Sequence, residues 1–178
     1  MTPFDQIPKK DSKKEIAPHK MARPVMERLG YWGLVPFGFG VIIFWLSPWL
    51  VSLPVGLTIA KGTISYAGII AAFMAGMSTG NVLARERAGI SAYLPTIIAS
   101  LVAWLTILPN GYFFITMGEI WRIIILVIVF IWLYFNDVRL TQQGAWKSWY
   151  TNLRLRLSAW VILALSAIAA RFLLIGVV

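Results

Sequence analysis

Five apolar runs, each near the roughly 20 residues that a helix needs to cross the hydrocarbon core of a bilayer, constrain this chain more than any other feature. They lie at about 30–53, 64–83, 90–108, 117–135 and 157–178. Inside lipid a backbone must satisfy its own hydrogen bonds, which a helix does within one segment. The expected fold class is therefore all-α: a polytopic membrane protein with five transmembrane helices in one bundle. Composition agrees, because 59% hydrophobic and 13% charged residues leave too little polar surface to coat a soluble globule of 178 residues.

Short polar breaks divide the runs. ARERAG at 84–89 interrupts an otherwise continuous apolar stretch and makes an antiparallel pair of the second and third helices. PNGY at 109–112 places a proline and an Asn-Gly pair at a turn between the third and fourth. The first 28 residues hold seven Lys or Arg and four Asp or Glu. They read as a basic cytoplasmic tail, 1–28, ahead of a transmembrane domain, 29–178. The tail lacks the short hydrophobic core of a cleavable signal, and Asp5, Asp11 and Glu15 make it a poor mitochondrial presequence. Residues 17–30 could lie on the membrane as an amphipathic element, although Pro24 argues against a long continuous helix there.

Basic loops resist translocation and so fix orientation. The tail, Arg85 and Arg87 in the second-to-third turn, and Arg139, Lys147, Arg154 and Arg156 before the fifth helix all fall on one side. Lys61 alone stands in a loop on the other, with Arg122 and Arg171 inside apolar runs. The expected orientation puts the amino terminus in the cytoplasm and the carboxyl terminus outside. Trp32, Trp49, Tyr93, Tyr112, Tyr134 and Trp160 fall near the predicted interfaces, where amphipathic rings prefer to sit.

In the second helix Gly68, Ala72, Gly76 and Gly80 recur every fourth residue, with Ala67, Ala71, Ala75 and Thr79 as a parallel row. Lipid offers helices no hydrophobic drive to associate, so small residues that allow close backbone approach mark a packing face. This face is expected to make the second helix the centre of the bundle, and Gly76→Leu is expected to destabilise it.

The sequences LGYWGLVPF at 29–37, YAGIIAAFMAGMSTG at 66–80, LPTIIASLVAWLTILP at 94–109 and WYTNLRLRL at 149–157, in this order and spacing, resemble the bacterial membrane family named domain of unknown function 3429. The resemblance implies mitochondrial relatives and marks Tyr66, Ser78 and Thr79 as motif polar positions. It brings no activity with it.

Two constellations are candidates for function. Trp149, Tyr150, Arg154 and Arg156, with Arg85 and Arg87 at the same depth, form an aromatic and basic rim on the cytoplasmic side. Guanidinium groups grip phosphate bidentately, so anionic phospholipid is the expected ligand. The plainer alternative is an ordinary aromatic belt with positive-inside anchoring. Toward the outer face, Glu119 and Arg122 are three residues apart on one helical face and Arg171 lies at similar depth, an intramembrane charge cluster. A polar clasp, snorkelling and ion or proton handling are its alternative roles.

Cysteine is absent and His19 is the one histidine, so neither metal nor cofactor is expected. No nucleophile with its base, paired carboxylates or phosphate loop occurs in the membrane segments, which argues against an enzyme. The net charge of +9 is explained by membrane orientation without nucleic acid. The expected function is a non-catalytic inner-membrane accessory, scaffold or assembly factor supporting a membrane complex or envelope integrity. Its expected partners are the bilayer with its anionic lipid and a membrane protein or second copy. The alternative is a small transporter or lipid-handling channel acting as an oligomer.

Overall fold

The computed structural model of the chain describes residues 18–84, 89–111, 116–144 and 146–176, with side chains from residue 23 onward. The tail up to residue 17, Arg85, Arg87, Tyr112 and the His19 side chain lie outside the described residues. Six helices follow in order: α1 Pro18–Trp32, α2 Val35–Leu46, α3 Leu53–Ala84, α4 Ile90–Ile107, α5 Glu119–Gln142 and α6 Ser148–Leu174. Five spans are long and apolar enough to cross a membrane, the first running from Arg23 to Leu46 through α1 and α2. The protein is an all-helical, multi-pass membrane protein.

Helix ends depart from the apolar runs. The first span ends at Leu46, not near 53; α3 begins at Leu53, α5 continues to Gln142, and α6 begins at Ser148. Hydropathy marks the lipid-immersed part of a helix, whereas hydrogen bonding carries its ends into the interface. At 1.5 Å per residue, the 32 residues of α3 extend about 48 Å, well beyond a hydrocarbon core of about 30 Å. Pro24 lies inside α1 without ending it. The break between α1 and α2 instead precedes Pro36, whose missing N–H cannot bond the Trp32 carbonyl.

The bundle closes as a ring, α2 on α3, α3 on α4, α4 on α5, α5 on α6 and α6 on α2, with α3 also crossing to α5 and α6. Phe44, Phe130 and Phe172 are fully buried in its core, and the rings of Phe44 and Phe172 stand 4.9 Å apart, tilted. The outward face is apolar: Ile42, Ile69, Ile128 and Leu163 are exposed, as befits a surface solvated by acyl chains.

The small-residue face of α3 is displaced from the expected one. Ala60, Ala67, Ala71 and Ala75 are the buried row, and Gly68 is tightly apposed to α4, where an added Cβ would meet Ile107 Cγ1 at 2.7 Å. Ala72 is half-buried, while Gly76 and Gly80 are exposed with open space beside them. The row through Ala67 therefore stays inside the bundle, whereas the row through Gly68 enters it at Gly68 and leaves it by Gly76. Gly40 of α2 is also tightly apposed to α3: an added Cβ would fall 2.0 Å from Thr63 Oγ1.

Candidate functional site

At the end of the bundle that carries α1, the last turns of α3 and α5 meet the first turns of α6. α5 presents Asp137 and α6 presents Arg154, both inside their helices and almost wholly buried. Arg154 Nη2 lies 2.7 Å from Asp137 Oδ2, an ion pair whose two atoms are not aligned as a hydrogen bond. From α3, the Ser78 hydroxyl donates to Asp137 Oδ1 at 2.7 Å, and its 3.3 Å approach to the Met74 carbonyl is the weaker contact. Arg154 Nη1 donates to the Tyr150 hydroxyl at 3.4 Å one turn away, and Tyr150 is stacked on Trp146 at 4.2 Å. Three helices thus converge on one carboxylate.

Beside this network the Thr79 and Thr96 hydroxyls lie 2.7 Å apart, joining α3 to α4. Each also reaches a carbonyl on its own helix, Ala75 and Tyr93, so one hydroxyl donates across while the other keeps its backbone acceptor. Tyr66 acts at the helix break, donating to the Gly33 carbonyl at 3.1 Å with its ring 5.1 Å from Phe37. All three motif polar positions therefore tie α3 to a neighbouring element.

The expected aromatic and basic rim divides in two. Tyr150 and Arg154 are not at the rim: both are buried, with the Arg154 guanidinium committed to Asp137. Trp149 and Arg156 do remain peripheral, and with Arg23, Glu27, Tyr31, Asn152 and Leu153 they line a recess of about 220 Å³ between α1 and α6. Arg23 pairs with Glu27 at 2.8 Å and its guanidinium lies 5.8 Å from the Trp149 ring centroid. Sequence spacing showed neither Arg23 as a member nor Asp137 as the partner of Arg154. The first needed α1 to fold against α6; the second joins helices whose register a loop decides.

An apolar cavity of about 250 Å³ adjoins the recess, with Leu153 in the walls of both. Residues of all four helices α1, α2, α3 and α6 line it, and Tyr150 and Arg154 form one wall.

At the opposite end, the expected cluster of Glu119, Arg122 and Arg171 assembles in part: Glu119 pairs with Arg122, and Arg171 stands apart from both. Arg122 is buried and donates to the Thr106 carbonyl at 2.9 Å, to Asn110 Oδ1 at 2.7 Å and to the Met117 carbonyl at 3.4 Å. Glu119 stands 3.8 Å from Arg122 and 3.6 Å from Lys61. Arg171 lies elsewhere, donating to the Ser47 carbonyl at the end of α2, with its guanidinium 5.7 Å from the Trp45 ring centroid. Each arginine also reaches a carbonyl that a helix end leaves without a donor, Thr106 for Arg122 and Ser47 for Arg171. Among the described residues, no three His, Cys, Asp or Glu side chains gather as a metal site.

The chain belongs to the family whose model is described as Protein of unknown function (DUF3429), which matches residues 22–170. No curated protein and no solved structure matches it.

Proposed function

We propose that this member of the family is a non-catalytic, multi-pass protein of the cytoplasmic (inner) membrane, an accessory or scaffold subunit that engages anionic lipid at its cytoplasmic end. The observation that carries this reading is the recess between α1 and α6, where Arg23, Trp149 and Arg156 converge. Arg28, Arg139 and Lys147 belong to the same end, so the positive-inside rule supports its facing the cytoplasm. At the other end Arg122 and Arg171 are engaged by backbone carbonyls, leaving Lys61 as the exposed cation among the described residues. A basic side chain held at an anionic leaflet contributes about 1 kcal/mol.

The buried network supports a structural task. In this network the Ser78 hydroxyl and the Arg154 guanidinium meet at one carboxylate, that of Asp137, each coming from a different helix. Its geometry fixes α3, α5 and α6 to one another and so sets the α6 surface on which the recess is built.

The test is gentle extraction from native membranes followed by analysis of co-purifying proteins and lipids. A protein partner at fixed stoichiometry, or anionic phospholipid enriched over the bulk membrane and reduced about fivefold by Arg156→Ala, is the expected result. Bulk-like lipid and no partner would remove the basis for the proposal.

A further inference from the structure

We infer that the apolar cavity between α1, α2, α3 and α6 is the seat of one acyl chain of an anionic phospholipid, whose headgroup lies in the adjoining basic recess. This rests on the lipid reading above and adds to it a chain withdrawn from the bilayer into the bundle.

The cavity of about 250 Å³ is walled by Met26, Leu29, Phe37, Met74, Leu157 and Val161 among others, with only Tyr150 and Arg154 bringing polar side chains. It opens to the outer surface of the bundle, where its lining residues Leu29 and Phe73 are exposed, and a hydrocarbon chain entering it gains dispersion contacts along the apolar walls. Methionines on both sides, Met26 from α1 and Met74 and Met77 from α3, supply flexible, polarizable walls that adapt to a hydrocarbon chain. A bilayer surrounds the protein with such chains.

The neighbouring recess identifies the head. It contains Arg23 and Arg156 against the single carboxylate of Glu27, so its charge is positive and complements a phosphate. Leu153 separates the two spaces by one side chain, which places a headgroup and the start of an acyl chain side by side. α1 forms the cover. Its main packing partner is α6, to which Gly30 is tightly apposed: an added Cβ would meet Leu157 Cδ1 at 2.8 Å.

Native mass spectrometry of the full chain, extracted in mild detergent, tests this. The expected spectrum shows one anionic phospholipid per protein. Val161→Phe and Ile70→Phe, which project into the cavity, lower the retained fraction about tenfold, whereas Ile69→Phe on the exposed face of α3 leaves it unchanged. Arg156→Ala lowers it about fivefold. If the folded cavity variants keep the lipid and Arg156→Ala loses it, the chain seat is overturned while the headgroup site stands. A wild-type protein that retains no lipid removes both, and a retained mass of a single-chain fatty acid overturns the phospholipid assignment. Should a cavity variant lose its melting transition, wild-type protein labelled with a phospholipid bearing a photoreactive acyl chain decides. Adducts on Met74 or Met77 support the seat; adducts confined to Ile69 and Ile128 overturn it.

Discussion

Arg154 Nη2 and Asp137 Oδ2 stand 2.7 Å apart with side chains 4% and 0% exposed, and the Ser78 hydroxyl donates to the other oxygen of the same carboxylate. Removing one member of such a pair leaves a charge buried without compensation, whereas replacing both with apolar residues of similar size removes the desolvation problem. Arg154→Met and Asp137→Leu are each expected to cost about 3–5 kcal/mol. The double variant is expected to be clearly more stable than either. Thermal unfolding in detergent, arranged as a double-mutant cycle, measures the coupling; strictly additive losses would show that the pair does not hold α5 to α6.

Helix apposition gives a second expectation, with a built-in control. Gly40→Ala places a Cβ against Thr63, 3.0 Å from its Cβ and closer still to its hydroxyl, and Gly68→Ala meets both Ile107 and the Ala103 carbonyl. Each is expected to destabilise the bundle by about 1–3 kcal/mol through overpacking. Gly76→Ala enters open space within a helix and is expected to be neutral or to stabilise by up to about 1 kcal/mol. Equal melting shifts at positions 40 and 76 would contradict this account of the packing.

Much of this architecture is legible in the sequence because lipid leaves so few options. Five apolar runs give five spans, and α3 ends at Ala84 and α4 at Ile107, each at the edge of a polar break in the sequence. Residue partners were harder to read. A small-residue repeat on α3 gave two adjacent rows, and nothing local distinguishes the Gly76 and Gly80 edge from the Ala71 and Ala75 row until α4 and α5 are in place. Arg171 and Arg122 lie at the same end of the bundle but share no partner, because each bonds a carbonyl at a different helix end. Asp137 was legible only as a residue after the fourth apolar run; its burial follows from α5 continuing to Gln142.

Tyr66 offers a test of how the α1–α2 break is held. Its hydroxyl donates to the Gly33 carbonyl, and its ring packs on Phe37 independently of that hydrogen bond. Tyr66→Phe is expected to keep the ring contact and cost about 0.5–1.5 kcal/mol. Faster amide exchange at Gly33 and Leu34, with α5 unaffected, is the expected signature. Unchanged exchange at the break would show that Tyr66 contributes by packing alone.

Arg122 supports the most demanding expectation because its three donor nitrogens serve three separate acceptors. Nη1 reaches the Thr106 carbonyl in the last turn of α4, Nη2 reaches Asn110 Oδ1, and Nε reaches the Met117 carbonyl ahead of α5. Asn110 Oδ1 also accepts from the Met117 amide at 3.0 Å, so the arginine and the asparagine brace the approach to α5 together. A lysine carries the charge but cannot span these acceptors from one nitrogen. Arg122→Lys is therefore expected to lose about 1.5–3 kcal/mol, most of what Arg122→Gln loses. Amide exchange is expected to accelerate at Leu105–Leu108, while Trp45 and its neighbours at the Arg171 contact stay protected. A lysine variant as stable as wild type would show that charge alone, set against the end of the α4 dipole, is what the position supplies.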